Sequence, residues 1–246
     1  MASVPVKLSV CPACEAAVVA GRAGGTTECP HCRYRWPTSE AREFGRRQWD
    51  TERSAQLLLG CLGALGWRLG QRKVRLVYAA VARVGFDWCR NLWFREAVAA
   101  GERWADTGGP PFGVDDIRRQ LSRRAPRWRT AEYDWREVGL ALVSGSPDLV
   151  LENLREPTRG FFADAYRDLI ANPFVSIEWK PDWRTSTVLD LARTIYDRRA
   201  FELMPILSDA LLDAGCDHQM IQEHCRCGRP HARGCWVLDA IIGRSS

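Results

Sequence analysis

The rhythm of apolar and polar positions changes near residue 40. Before it, short apolar runs are broken by glycine, proline and cysteine. After it, apolar residues recur at helical spacing. Val74, Val77, Val81 and Val84 step by three, four and three and mark one apolar face; Arg72, Lys73, Arg75 and Arg83 fall mostly off it. Trp93, Ala97, Ala100 and Trp104 repeat the pattern, and Gly108-Gly109-Pro110-Pro111 ends it. Further helices are predicted at 113–123 and 131–144, with a short one from Ser146-Pro147-Asp148 to before Pro157. Thr38 or Ser39 is expected to cap a helix through Arg42 to Trp49. Val175 to Trp179 alternates and predicts a short extended segment.

Toward the C-terminus, Thr185, Ser186 and Thr187 offer caps for a helix carrying Val188, Leu191, Ala192 and Ile195 on one face. Pro205 suits the first turn of the next helix, and Gly215 suits its end. Asp217 is expected to cap the helix after that.

The first forty residues carry the clearest chemistry. Cys11-Pro12-Ala13-Cys14 and Cys29-Pro30-His31-Cys32 are two C-x-x-C knuckles separated by fourteen residues. Four thiolates in two close pairs can close a tetrahedral Zn²⁺ site, which leaves no open position for a catalytic water. Two disulfides are the alternative, which the paired spacing disfavours. Between the knuckles, Ala16 to Val19, a turn at Gly21 to Gly25 and Thr26-Thr27 predict a hairpin. So small a module buries little core, and the metal is expected to supply most of its folding free energy.

The 246 residues are 46% hydrophobic, enough for a substantial core besides this module. The expected fold is mainly α: a small N-terminal β-hairpin zinc ribbon followed by an irregular α-helical body. The expected divisions are 1–37 for the ribbon, 38–158 for a helical region and 159–246 for a helical C-terminal region. No run approaches the ~20 apolar residues of a membrane span. Leu57 to Leu69 comes nearest, but Gly60, Gly63 and Gly66 interrupt it. With no export signal in Met1 to Val10 and with ribbon-spaced cysteines, a reducing cytoplasm is expected.

The net charge is +5, and among the basic residues only Lys7, Lys73 and Lys180 are lysines. An arginine-rich surface suits phosphate, yet the thirty acidic residues are interspersed and no block of like charge appears. Nucleic-acid binding is therefore expected to be weak and non-specific, with Arg33, Arg35, Arg46 and Arg47 as contacts near the ribbon. No P-loop, H-E-x-x-H or G-x-S-x-G motif occurs. A closed metal site without a catalytic set points to a non-enzymatic zinc-binding protein, a ribbon and helical scaffold meeting a protein or nucleic-acid partner.

A second group of soft ligands lies between Cys216 and Cys235: Cys216, His218, His224, Cys225, Cys227, His231 and Cys235. One reading is a second zinc site from Cys216, His224 or Cys225, His231 and Cys235. Another is that the cysteines are small buried hydrophobes. A third is an enzyme whose thiolate, Cys235, opens the last helix with His231 as its base. The helix dipole then lowers the thiol, and Asp239 lies one turn on.

The ribbon segment, about 8–36, resembles short N-terminal zinc ribbons of planctomycete proteins, although Glu15 and Arg33 stand where those ribbons often carry glycine. The stretch from Phe161 to Gly243 resembles a C-terminal region of uncharacterised planctomycete proteins. The likeness rests on Asn172-Pro173-Phe174, Leu191-Ala192 with Ile195-Tyr196-Asp197, Pro205-Ile206-Leu207, Ala214-Gly215-Cys216, His224-Cys225-Arg226 and Pro230-His231 through Arg233-Gly234-Cys235-Trp236-Val237. Arg72 to Leu76, Arg95 to Val98 and Glu102 to Asp106 share it. Cys227 departs from that pattern. The resemblance implies no activity.

Overall fold

The computed structural model describes residues 4–13, 16–20, 25–37, 42–84, 86, 91–123, 129–130, 133–144 and 158–244. Cys14, Glu15, the Gly21–Gly24 part of the predicted turn, the Thr38 and Ser39 caps and the helix predicted from Ser146 lie outside them. The fold is mainly α with N-terminal antiparallel strands. Contacts divide the chain into two compact units, Met1–Arg68 with Ala171–Ile177, and Leu69–Ile170 with Glu178–Ser246.

In the first unit, β1 (Val6–Val10) is the central strand of a sheet ordered β2-β1-β5, with β2 at Ala17–Val19 and β5 at Arg42–Phe44. Leu8 pairs with Val19 and with Arg42, and Val6 pairs with Phe44. A separate hairpin joins β3 (Thr26–Glu28) to β4 (Arg35–Pro37). The predicted strand positions at Ala17–Val19 and Thr26–Thr27 hold, but the predicted hairpin between them does not form. Each knuckle instead sits inside its own hairpin, Cys11 following β1 and Cys29 to Cys32 lying between β3 and β4. The physical reason is local: the turns at Pro12-Ala13 and at Pro30 to Cys32 lie between the strands that pair, β1 with β2 and β3 with β4.

Arg42 to Phe44 is strand, so the helix predicted there begins later, as α1 (Arg46–Thr51) with Gly45 at its N-cap. Ser54 caps α2 (Ala55–Ala64), its hydroxyl accepting from the Leu57 amide at 3.3 Å. Helix α2 packs on β1 and β2. Gly60 allows the approach, since a Cβ there would lie 2.4 Å from Ala17 Cβ. Asn172 ties Ala171–Ile177 to α1: its amide donates to Asp50 Oδ1 at 3.0 Å and to the Arg46 carbonyl at 3.2 Å, while its Oδ1 accepts from the Phe174 amide.

In the second unit, α3 (Gln71–Val84) packs against α4 (Leu92–Thr107), α6 (Trp135–Leu142) and α7 (Thr158–Leu169). It is buried nearly all round, so Lys73 and Arg75 are interior, against the expectation that they lie off the apolar face. Both neutralise helix ends. Arg75 donates to the Leu142 and Ser144 carbonyls at 2.8 and 2.6 Å, past the end of α6, with its guanidinium 3.8 Å over Trp104. The inward face of α4 carries Phe94, Ala97, Val98, Gly101 and Ala105; Trp93, expected on the apolar face, is exposed. Helix α5 (Val114–Ser122) matches the prediction at 113–123, and α6 begins after a two-residue strand pair, β6 (Arg129–Thr130) with β7 (Tyr133–Asp134).

The C-terminal helices are α8 (Ser186–Arg198), α9 (Met204–Asp213), α10 (Gln219–Arg226) and α11 (Trp236–Ile242). Thr185 caps α8 through its side chain, and Gly215 takes a left-handed φ of 80° after α9. The N-cap of α10 is His218 rather than Asp217. Residues 176–180 are irregular, so the predicted extended segment forms no strand.

Candidate functional site

Among the described residues, two groups of side chains could hold a metal ion. The first lies in the ribbon. Cys11, Cys29 and Cys32 bring their sulfurs within 4.8 Å of one another, with the Cys11 and Cys32 Sγ atoms 3.5 Å apart. Two thiolates on a tetrahedral zinc stand about 3.8 Å apart. Local turns set this up: the Cys11 amide donates to the Ala16 carbonyl, the Cys29 amide to the Tyr34 carbonyl and the Arg33 amide to the Cys29 carbonyl. Arg33, directly after the knuckle, has a left-handed φ of 63°, a region that favours glycine. Cys11, Cys29 and Trp36 form a small core, and the Trp36 indole donates to Ser9 Oγ at 2.9 Å, joining the two hairpins. Cys14, the fourth predicted ligand, lies outside the described residues.

At the ribbon's surface Glu28 pairs with Arg33 at 3.2 Å and also with Arg35, and these pairs lower its carboxyl. Two of the four arginines expected to meet nucleic acid are therefore already engaged.

The second group combines Asp168, His224, His231 and Cys235, with one ligand atom of each within 4.8 Å of the others. Asp168 lies in the last turn of α7, His224 on α10, His231 in the loop after it, and Cys235 is the N-cap of α11. The structure thus brings His224, His231 and Cys235 together with Asp168. Cys216, expected as a ligand, is buried but outside the group; its carbonyl accepts from Gln222 Nε2 at 2.8 Å.

His231 Nδ1 lies 2.6 Å from Asp168 Oδ1, and the Ala232 amide donates to Oδ2 at 2.8 Å. His224 Nε2 lies 3.4 Å from Asp168 Oδ1 and 3.1 Å from Cys235 Sγ. The Trp236 indole N–H donates to His224 Nδ1 at 3.1 Å. With Nδ1 accepting, a neutral His224 ring holds its proton on Nε2, facing the carboxylate and the thiol.

Burial raises the Asp168 carboxyl, but the hydrogen bonds from His224 and His231 outweigh it and bring it down to about 2. Burial pushes His231 down, while its bonds to Asp168 and Cys227 reverse that and lift it to about 9. Burial keeps His224 low and drives the Cys235 thiol well up. Cys235 is fully buried, which does not suit a nucleophile open to substrate, and its nearest imidazole is His224 rather than His231. His231 Nε2 instead faces Cys227, whose Sγ lies 3.8 Å away.

Two backbone features hold the group in place. Lys73 Nζ donates to the Leu169 and Gly234 carbonyls, each at 2.7 Å, and lies 2.8 Å from Asp239 Oδ2. Leu169 follows Asp168 and Gly234 precedes Cys235, so one buried ammonium fixes both halves. Gly234 has a φ of 86°, and a Cβ there would lie 2.6 Å from Leu76 Cδ1. Arg72 reinforces α11 through a bidentate pair with Asp239, at 2.6 and 2.9 Å.

Among the described residues, no helix is long and apolar enough to cross a membrane. No family model, curated protein or solved structure matches the chain.

Proposed function

We propose that this is a zinc-binding protein whose N-terminal ribbon, closed by Cys11, Cys14, Cys29 and Cys32, presents a recognition surface on a helical scaffold. The convergence of Cys11, Cys29 and Cys32 from two separate hairpins carries this reading. Four thiolates fill a tetrahedron, so the ion holds the hairpins together and does no chemistry. The partner is a protein rather than nucleic acid. Glu28 engages Arg33 and Arg35, while Val10, Val19 and Tyr34 of the ribbon are exposed. The planctomycete resemblance of the ribbon agrees with this reading and adds no role of its own.

A thiol-enzyme reading has one observation in its favour. Asp168, His231 and the half-buried Cys227 stand in carboxylate–imidazole–thiol order, and the bond to His231 helps bring the Cys227 thiol down to about 7 against burial. At 3.8 Å the sulfur–imidazole contact is long for a nucleophile and its base, so the scaffold reading stands first.

Cys29→Ser tests the ribbon. The variant should lose one zinc per chain and expose the segment through Phe44 to protease, with far-UV dichroism of the helices retained. Equal zinc content in variant and parent would refute the reading.

A further inference from the structure

We propose that Asp168, His224, His231 and Cys235 bind a second zinc ion, a closed structural centre that ties the end of α7 to the C-terminal helices. This goes beyond the ribbon reading and does not depend on it.

The donor set points to the metal. Two imidazoles, a thiolate and a carboxylate are the ligand types of zinc, and four protein donors fill its tetrahedron. Donors about 2.0–2.3 Å from a tetrahedral zinc lie about 3.3–3.7 Å from one another. His224 Nε2 stands 3.4 Å from Asp168 Oδ1 and 3.1 Å from Cys235 Sγ, close to those edges. His231 Nδ1 and Asp168 Oδ1, at 2.6 Å, need open by only ~0.7 Å.

Hydrogen bonding alone leaves Cys235 unexplained. Asp168 is already served by His231, His224 and the Ala232 amide. A thiol is a weak donor and a weak acceptor, so a wholly buried sulfur 3.1 Å from an imidazole gains little as a hydrogen-bonding partner. A metal ion gives the sulfur a reason to be there.

The contacts of the Ala232 amide and of Lys73 suit the support of such a centre. The Ala232 amide orients the carboxylate from the side away from His231, and Lys73 pins the backbone next to Asp168 and Cys235. Asp168 precedes His224 by 56 residues, so loading the site joins segments that sequence leaves far apart. Binding releases the Cys235 thiol proton and the His231 Nδ1 proton now shared with Asp168, and moves the His224 proton from Nε2 to Nδ1.

The test uses the full chain, metal analysis and cobalt substitution. The parent should hold two zinc ions, and Cys29→Ser and Cys235→Ala should each hold one. With Co²⁺, the Cys29→Ser protein should show tetrahedral d–d bands and a thiolate charge-transfer band of roughly a quarter of the ribbon's intensity, as one thiolate against four requires. That readout does not rely on a variant of the second unit folding. A folded Cys29→Ser protein that binds neither zinc nor cobalt overturns the proposal, as does charge-transfer absorption that persists in the Cys29→Ser, Cys235→Ala double variant. If instead the parent holds one ion that survives Cys29→Ser and is lost with Cys235→Ala, the second centre stands and the ribbon reading fails.

Discussion

Trp236 Nε1 donates to His224 Nδ1, and this single bond sets the terms on which the second centre can take a metal. A neutral imidazole that ligates through Nε2 must carry its proton on Nδ1, which then meets the indole N–H donor to donor. The protein therefore holds an opposing contact at its own ligand. Trp236→Phe removes the indole N–H and keeps most of the buried ring. We expect the second site to bind zinc more tightly in this variant, by up to about tenfold, in competition with a chromophoric chelator. Weaker binding with unchanged far-UV dichroism would contradict that assignment of roles. At the same scale, Asp168 is the ligand that sequence reasoning misses. Histidine and cysteine stand out by rarity, whereas Asp168 is one of thirty acidic residues and lies 56 positions before His224. Cys216 misleads for the opposite reason: it is rare and nearby, yet it packs in the interior as a small buried side chain.

Among elements, α3 supplies the cations that finish other helices. Lys73 meets the Leu169 carbonyl at the end of α7 and the Gly234 carbonyl before α11, and Arg75 meets the Leu142 carbonyl at the end of α6. Helix C-termini leave carbonyls without intrahelical partners, and a buried cation satisfies them and their partial negative charge. Lys73→Met keeps the bulk and removes the ammonium, leaving two carbonyls unmet. Chemical denaturation should show a loss of roughly 3–5 kcal/mol in the helical unit. A change below about 0.5 kcal/mol would place Lys73 among ordinary surface substitutions. The valine periodicity of α3 was legible in the sequence, as were α5, the Thr185 cap of α8 and the Gly215 stop. The burial of Lys73 and Arg75 was not, because it depends on which helix ends arrive beside them. The hairpin pairing escaped for a similar reason. Strand positions follow from local composition, but β1 chooses β2 and β5 as partners, and β3 chooses β4, only once the knuckles have reversed the chain.

At the scale of the whole molecule there are two units, and among the described residues each has its own candidate metal group: cysteines in the ribbon and mixed ligands in the helical body. The two differ in what the ion would do for folding. Around the ribbon group the core is small, Cys11, Cys29 and Trp36, so an ion there would supply much of what joins the two hairpins. The helical unit has an extensive apolar core of its own, and there zinc would secure the C-terminal helices to α7 rather than create the fold. Native mass spectrometry of the full chain, prepared with zinc and without chelator, tests this most directly. The expected spectrum is a folded charge-state envelope dominated by protein plus two zinc ions, with loss of both on acidification. A folded envelope dominated by the metal-free chain, or by one zinc ion under saturating metal, would contradict it.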